Sequence, residues 1–138
     1  MKIRTILTVV LALLFLGFCI PKLTASDVSL ALFNKINEYT GFQGRWFMYV
    51  TGLIELSVGL LLAASLLSHP LQPKLRMLGL LAAIGTMCGA LFTELGIRPG
   101  EDPALTILAT VMLALAGYLV WPMRNDLLTL IPGFKPAK

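Results

Sequence analysis

Four apolar runs, each long enough to cross a bilayer, constrain this chain more than any other feature of its sequence. They cover about residues 6–23, 46–67, 75–97 and 103–121 of 138. At a rise of about 1.5 Å per residue, a helix over any of these runs matches a hydrocarbon layer about 30 Å thick. Inside that layer every backbone N–H and C=O must find its partner within its own segment, so the runs are read as helices. Alternating strands of about ten residues, the mark of a membrane barrel, do not occur. Composition agrees, since 57% of residues are apolar and only 13% charged, about half the charged share of a soluble domain. That balance excludes a disordered chain and most soluble enzymes. The net charge of +4 comes from Lys and Arg standing singly between apolar blocks. This is the pattern of membrane boundaries, and without a basic run it predicts no nucleic-acid partner. The expected fold is all-α: one membrane domain over 1–138, a four-helix bundle whose partner is the lipid bilayer.

The first run follows Lys2 and Arg4, as a signal peptide would, but Pro21-Lys22-Leu23 makes a poor cleavage site and a retained helix is the better reading. Orientation follows from the loops. Lys2, Arg4, Lys74, Arg76, Arg124, Lys135 and Lys138 would share one side, against Lys22, Lys35, Arg45 and Arg98 on the other. The positive-inside rule then places both termini in the cytoplasm of a cell-membrane protein. Trp46, Tyr49 and Trp121 stand at span ends, where interfacial aromatic residues collect. Between the first two spans an amphipathic helix is expected over about 27–40, N-capped by Ser26 and ended by Gly41. Val28, Leu32, Phe33, Ile36 and Tyr39 share one arc of it, and Leu30 breaks the pattern. Such a helix lies on the outer leaflet or caps the bundle; a plain soluble connector is the alternative.

Charge inside an apolar span is costly, about 2.5 to 3.5 kcal/mol at a helix centre. Glu55 lies about 14 Å below the boundary of the second span and shares a face with Gly52, Gly59 and Ala63. Small residues mark close helix contact, so Glu55 is expected to point into the bundle. Its candidate cation is Lys22, whose long stem at the end of the first span can extend toward it. Glu94 and Arg98 stand one turn apart at the same end of the third span and can pair with each other. Convergence of Lys22, Glu55, Glu94 and Arg98 is the site expectation, as a ligand site or as structural ion pairs. A stripe carrying Ala82, Gly85, Gly89, Thr93 and Gly96 predicts helix packing at Gly85 and Gly89, within the chain or between chains.

Cys19 and Cys88 differ in expected depth and form no Cys-x-x-Cys, so both are read as small apolar residues rather than a redox pair. His69 is the only histidine and lies in a loop beside Pro70. It cannot build two-His haem ligation, and no His/Cys/Asp/Glu grouping has metal-ligand spacing. No phosphate-binding loop or nucleophile–histidine set is present. The chain is not expected to be an enzyme on its own or to carry a cofactor of its own.

Three segments carry a family resemblance: Gly-Phe-Cys-Ile-Pro-Lys-Leu at 17–23, Tyr-Val-Thr-Gly-Leu-Ile-Glu-Leu at 49–56 and Met-Cys-Gly-Ala-Leu-Phe-Thr-Glu at 87–94. Together they resemble the DoxX and DoxX-like family of small four-helix membrane proteins. Lys22, Gly52 and Glu55 match that family's polar positions, and Gly89 and Ala90 its third-helix motif, while Glu94 stands where relatives often have a His or another polar residue. The resemblance implies a non-catalytic subunit or accessory of a membrane redox system, quinone- or thiol-linked. On this reading a quinone-like or lipid ligand sits near Lys22 and Glu55, and redox subunits or further copies of the chain are the partners. The alternatives are a small proton-coupled transporter, a lipophile-binding protein and a membrane scaffold or assembly factor.

Overall fold

The apolar runs fold as helices, and polar caps set where those helices begin and end. A computed structural model describes residues 2–41, 43–67 and 72–123. Helix α1, Lys2–Leu23, starts four residues before the apolar run, because hydropathy marks a membrane boundary and not the first backbone hydrogen bond. Beyond Pro21 the chain closes with Thr24 N–H donating to the Ile20 carbonyl and Ser26 N–H to that of Pro21, both at 2.9 Å. The Ser26 hydroxyl then accepts from Ser29 N–H and opens α2, Asp27–Thr40. Gly41 ends α2 at φ +72°, with its N–H donating to the Asn37 carbonyl, a left-handed cap that glycine adopts without strain.

Helix α3 covers Gly44–Ala64 and α4 covers Gln72–Phe92. Helix α4 runs on into one π-helical turn, Thr93–Ile97, closed by Arg98 N–H donating to the Thr93 carbonyl at 3.1 Å. Asp102 caps α5, Pro103–Val120, by accepting from Leu105 N–H, and Pro103 occupies the first turn, where its missing N–H costs nothing. A short 3-10 turn follows at Trp121–Met123. Helices α1, α3, α5 and α4 with its π turn are long and apolar enough to cross a membrane. Their outward faces carry exposed apolar side chains, among them Leu13, Leu53, Leu60, Ile107 and Val111, as lipid contact requires. This is an all-α multi-pass membrane bundle.

Helix α1 packs on α3, α3 on α4, α4 on α5, and α5 returns to α1. The core between them holds Leu11, Phe15, Val58, Leu62, Leu80 and Met112. Close approach among the spanning helices depends on glycine at three places. A Cβ on Gly52 would meet Lys22 Cβ at 3.0 Å, one on Gly59 would meet Leu16 Cδ2 at 2.7 Å, and one on Gly79 would meet Leu62 Cδ2 at 3.0 Å. Helix α2 lies across α3 and α1 at one end, and that end also holds the 98–102 loop. A second small core, Phe33, Ile36 and Met48, fixes it there.

Several expectations change. The second span ends as a helix at Ala64, not at 67, where Ser65 and Leu66 turn the chain. The buried arc of α2 is Ser29, Phe33 and Ile36, with Leu30 and Leu32 packed beside it, while Val28 and Tyr39 are exposed. The arc is rotated because α2 meets only one side of α3, and the residue that broke the pattern belongs to the contact. Gly85 and Gly89 are exposed, and a Cβ on either would meet nothing within 4 Å; they make no helix contact within the chain. Cys88 is exposed as well, whereas Cys19 is buried and donates its Sγ–H to the Leu16 carbonyl. Both thiols are free. His69 and the basic residues Arg124, Lys135 and Lys138 lie outside the described residues.

Candidate functional site

At the α2 end the helices do not close on one another. A cavity of about 750 Å³ remains, walled by α1, α2, α3, α4 and α5, a size that suits a small-molecule ligand. Most of the wall is apolar, and three phenylalanines, Phe18, Phe33 and Phe47, contribute rings to it. Phe33 and Phe47 meet edge to face with centroids 5.6 Å apart, the arrangement favoured by the ring quadrupoles. Gly85 and Gly89 belong to this wall too, so their missing side chains leave room instead of admitting a helix.

Two ion pairs stand at the cavity. Lys22 sits at the level of Gly52, where the missing side chain on α3 lets α1 approach. Its ammonium turns inward, not toward the membrane surface, and donates to Glu55 Oε1 at 2.8 Å and Oε2 at 2.7 Å. A third hydrogen bond goes to the Phe18 carbonyl at 3.3 Å, and the Phe18 ring lies 5.7 Å below the charge. The ammonium is thereby shared between the Glu55 carboxylate and the Phe18 carbonyl. The Lys22 and Glu55 side chains are 16% and 7% exposed, so the pair is partly sheltered and is held by geometry as well as by charge.

The second pair is Arg98 Nη2 donating to Glu94 Oε1, across one turn and fully within the protein. The π turn places it: the extra residue widens the last turn of α4, and Glu94 and Arg98 are both buried there. Single π turns inside α-helices recur at functional sites. Glu94 lines the cavity together with Lys22 and Glu55, and Arg98 stands behind it. Glu94 Oε2 and Arg98 Nε are buried without a hydrogen-bond partner among the described residues. The four expected residues therefore form two separate pairs on one cavity, not a single cluster. Among the described residues no group of His, Cys, Asp and Glu could hold a metal ion.

A third polar feature is not apparent from spacing alone. Glu101, in the loop before α5, accepts from Lys35 Nζ at 3.1 Å and from the Tyr39 hydroxyl at 3.0 Å. This ties the exposed edge of α2 to the far side of the cavity. The hydrogen bond from Lys35, then that from Tyr39, holds the Glu101 carboxyl below its ordinary value, and the same Glu101 contact pushes the Tyr39 phenol above its own. Sixty-six residues separate Lys35 from Glu101, and only the packing of α2 shows that they meet.

Comparison with family models, with curated proteins and with solved structures found no match to this chain.

Proposed function

We propose that this chain holds a lipophilic ligand, quinone-like or lipid, in the cavity at the α2 end and serves as an accessory or subunit of a membrane redox system. The observation that carries the reading is the cavity itself: an apolar volume of about 750 Å³ with Lys22, Glu55 and Glu94 in its wall. A bundle of this size selected for packing alone would fill such a space, because protein interiors approach crystal-like density. The redox context rests on the resemblance of residues 17–23, 49–56 and 87–94 to DoxX-like proteins. We place the protein in the cell membrane, with both termini cytoplasmic and α2 on the opposite side, from the distribution of Lys and Arg. The ion pair of Lys22 with Glu55 supports a binding role over proton-coupled transport, which needs a carboxyl free to exchange its proton in each cycle.

Native mass spectrometry of gently solubilised protein tests the proposal, with bound small molecules extracted and identified. A stoichiometric quinone or lipid is expected on the wild type. Gly89→Phe should lose it, since the new ring enters open space and leaves the helix contacts alone. An empty wild-type protein, or a ligand retained at full occupancy in Gly89→Phe, overturns the cavity reading.

A further inference from the structure

The polar atoms of the cavity wall differ in what they leave free, and this selects the ligand's head group. Lys22 is already shared between the two Glu55 oxygens and the Phe18 carbonyl. Asp102 is an acceptor, already engaged in capping α5. Glu94 is more than nine-tenths buried and lines the cavity, yet Oε2 has no partner among the described residues. A buried carboxylate oxygen without a donor is costly. Rotation about the last side-chain bond of a glutamate is soft, so either oxygen can be presented to the cavity. The vacancy at Glu94 is therefore for a donor, whereas a head group that only accepts is left with the Ser29 hydroxyl, since Thr51, Thr86 and Thr93 donate to carbonyls of their own helices.

The charge balance narrows the choice. Lys22 with Glu55, and Arg98 with Glu94, are already neutral as pairs. A cationic head would find only Asp102 to balance it, a carboxylate already engaged in capping α5, whereas a hydroxyl brings no charge. The phenylalanines narrow it further, because Phe18, Phe33 and Phe47 offer ring faces and edges to an aromatic head. Resting on the ligand-binding reading above, we infer that the cavity takes an amphiphile with a phenolic hydroxyl on an apolar tail, donating its proton to the Glu94 carboxylate. For a quinone-type ligand this is the reduced, hydroxyl-bearing form rather than the oxidised, carbonyl-only form.

Three probes of equal chain length test this on the wild-type protein in lipid nanodiscs: 4-nonylphenol, its methyl ether, and a straight-chain alcohol. The phenol is expected to bind at least tenfold tighter than the ether, since a site built to hydrogen-bond a hydroxyl rejects an analogue lacking it. The alcohol should fall between them. Glu94→Gln, whose amide can both accept and donate, should bring phenol and ether within about threefold. Should that variant not fold, a diazirine-bearing alkylphenol applied to the wild type must label residues 85–94 or 105–112. Equal binding of phenol and ether overturns the donor assignment while leaving the cavity reading intact; Arg98 closing through both Nε and Nη2 onto Glu94 would produce that result. Tighter binding of the alcohol than the phenol overturns the aromatic head and assigns a lipid alcohol. No binding of any probe overturns both readings.

Discussion

Lys22 has a choice that most lysines at a helix end resolve outward: its stem is long enough to carry the charge to the membrane surface. It turns inward because Glu55 would otherwise be a lone carboxylate in an apolar span, and because Gly52 leaves the room its stem occupies. Breaking such a pair leaves one group without compensation. Glu55→Leu is expected to destabilise the bundle by about 3 kcal/mol, read as unfolding free energy in mixed micelles. The double variant Lys22→Met/Glu55→Leu should recover most of that loss, since replacing a buried pair by apolar residues of similar volume is often neutral. A double variant as unstable as the single one would mean that the pair itself holds the helices together. This pair was legible in the sequence, because a charge in an apolar span sharing a face with Gly52 and Gly59 has few places to point. Gly85 and Gly89 were not. A glycine that admits a neighbour and a glycine that leaves a void look alike until the neighbour is placed.

Among the elements, α2 closes one side of the cavity, because Ser29, Leu32, Phe33 and Ile36 form part of its wall. Beyond the small core of Phe33, Ile36 and Met48, two contacts hold it. Gly44 at the start of α3 lies directly beneath, and a Cβ there would stand 2.4 Å from the Phe33 carbonyl oxygen. That neighbour is backbone and cannot turn aside, so Gly44→Ala must push α2 away. It should cost about 1 to 3 kcal/mol and increase hydrogen exchange along 27–40; unchanged exchange would show that α2 is held elsewhere. The other contact is the tether of Lys35 and Tyr39 to Glu101. Glu101 has a depressed pKa, so its contribution is complete above the ordinary carboxylate range and is lost as pH falls through the lowered value. Tyr39 has a raised pKa, so its contribution is complete below about pH 10 and is lost above the raised value. Spin labels on Asn37 and Leu95, both exposed, should therefore report one narrow distance near neutral pH and a broader one once pH falls through the lowered Glu101 value. Glu101→Gln should broaden it already at neutral pH. Helix caps at Ser26 and Gly41 were legible because a side chain or a missing one announces them locally. The rotated face of α2 and the π turn at Thr93–Ile97 were not, since both are set by the partner helix and have no period of their own.

At the scale of the whole molecule, four spanning helices return the chain to the side from which it began, and α2 lies at the opposite end. The ends of the bundle are chemically distinct. Ion pairs and the cavity gather at the α2 end, whereas the buried polar side chains toward the other end, Thr8 and Ser65, satisfy themselves within their own helices by donating to Arg4 and Leu62 carbonyls. A ligand drawn from the membrane would thus meet its polar partners in one leaflet only. The orientation proposed above, from seven basic residues against four, would put that leaflet on the non-cytoplasmic side, since the rule counts Lys and Arg close to the spans. Single cysteines at Asn37 and at Lys74, in a chain whose Cys19 and Cys88 have been replaced, should separate the two faces. An impermeant maleimide applied to intact cells is expected to label the first and not the second. Labelling of Lys74→Cys alone would invert the protein and put the cavity in the cytoplasmic leaflet, opening it to soluble cytoplasmic partners. Labelling of both positions would mean that the bundle does not adopt a single orientation, and a ligand site confined to one leaflet could not then describe the whole population.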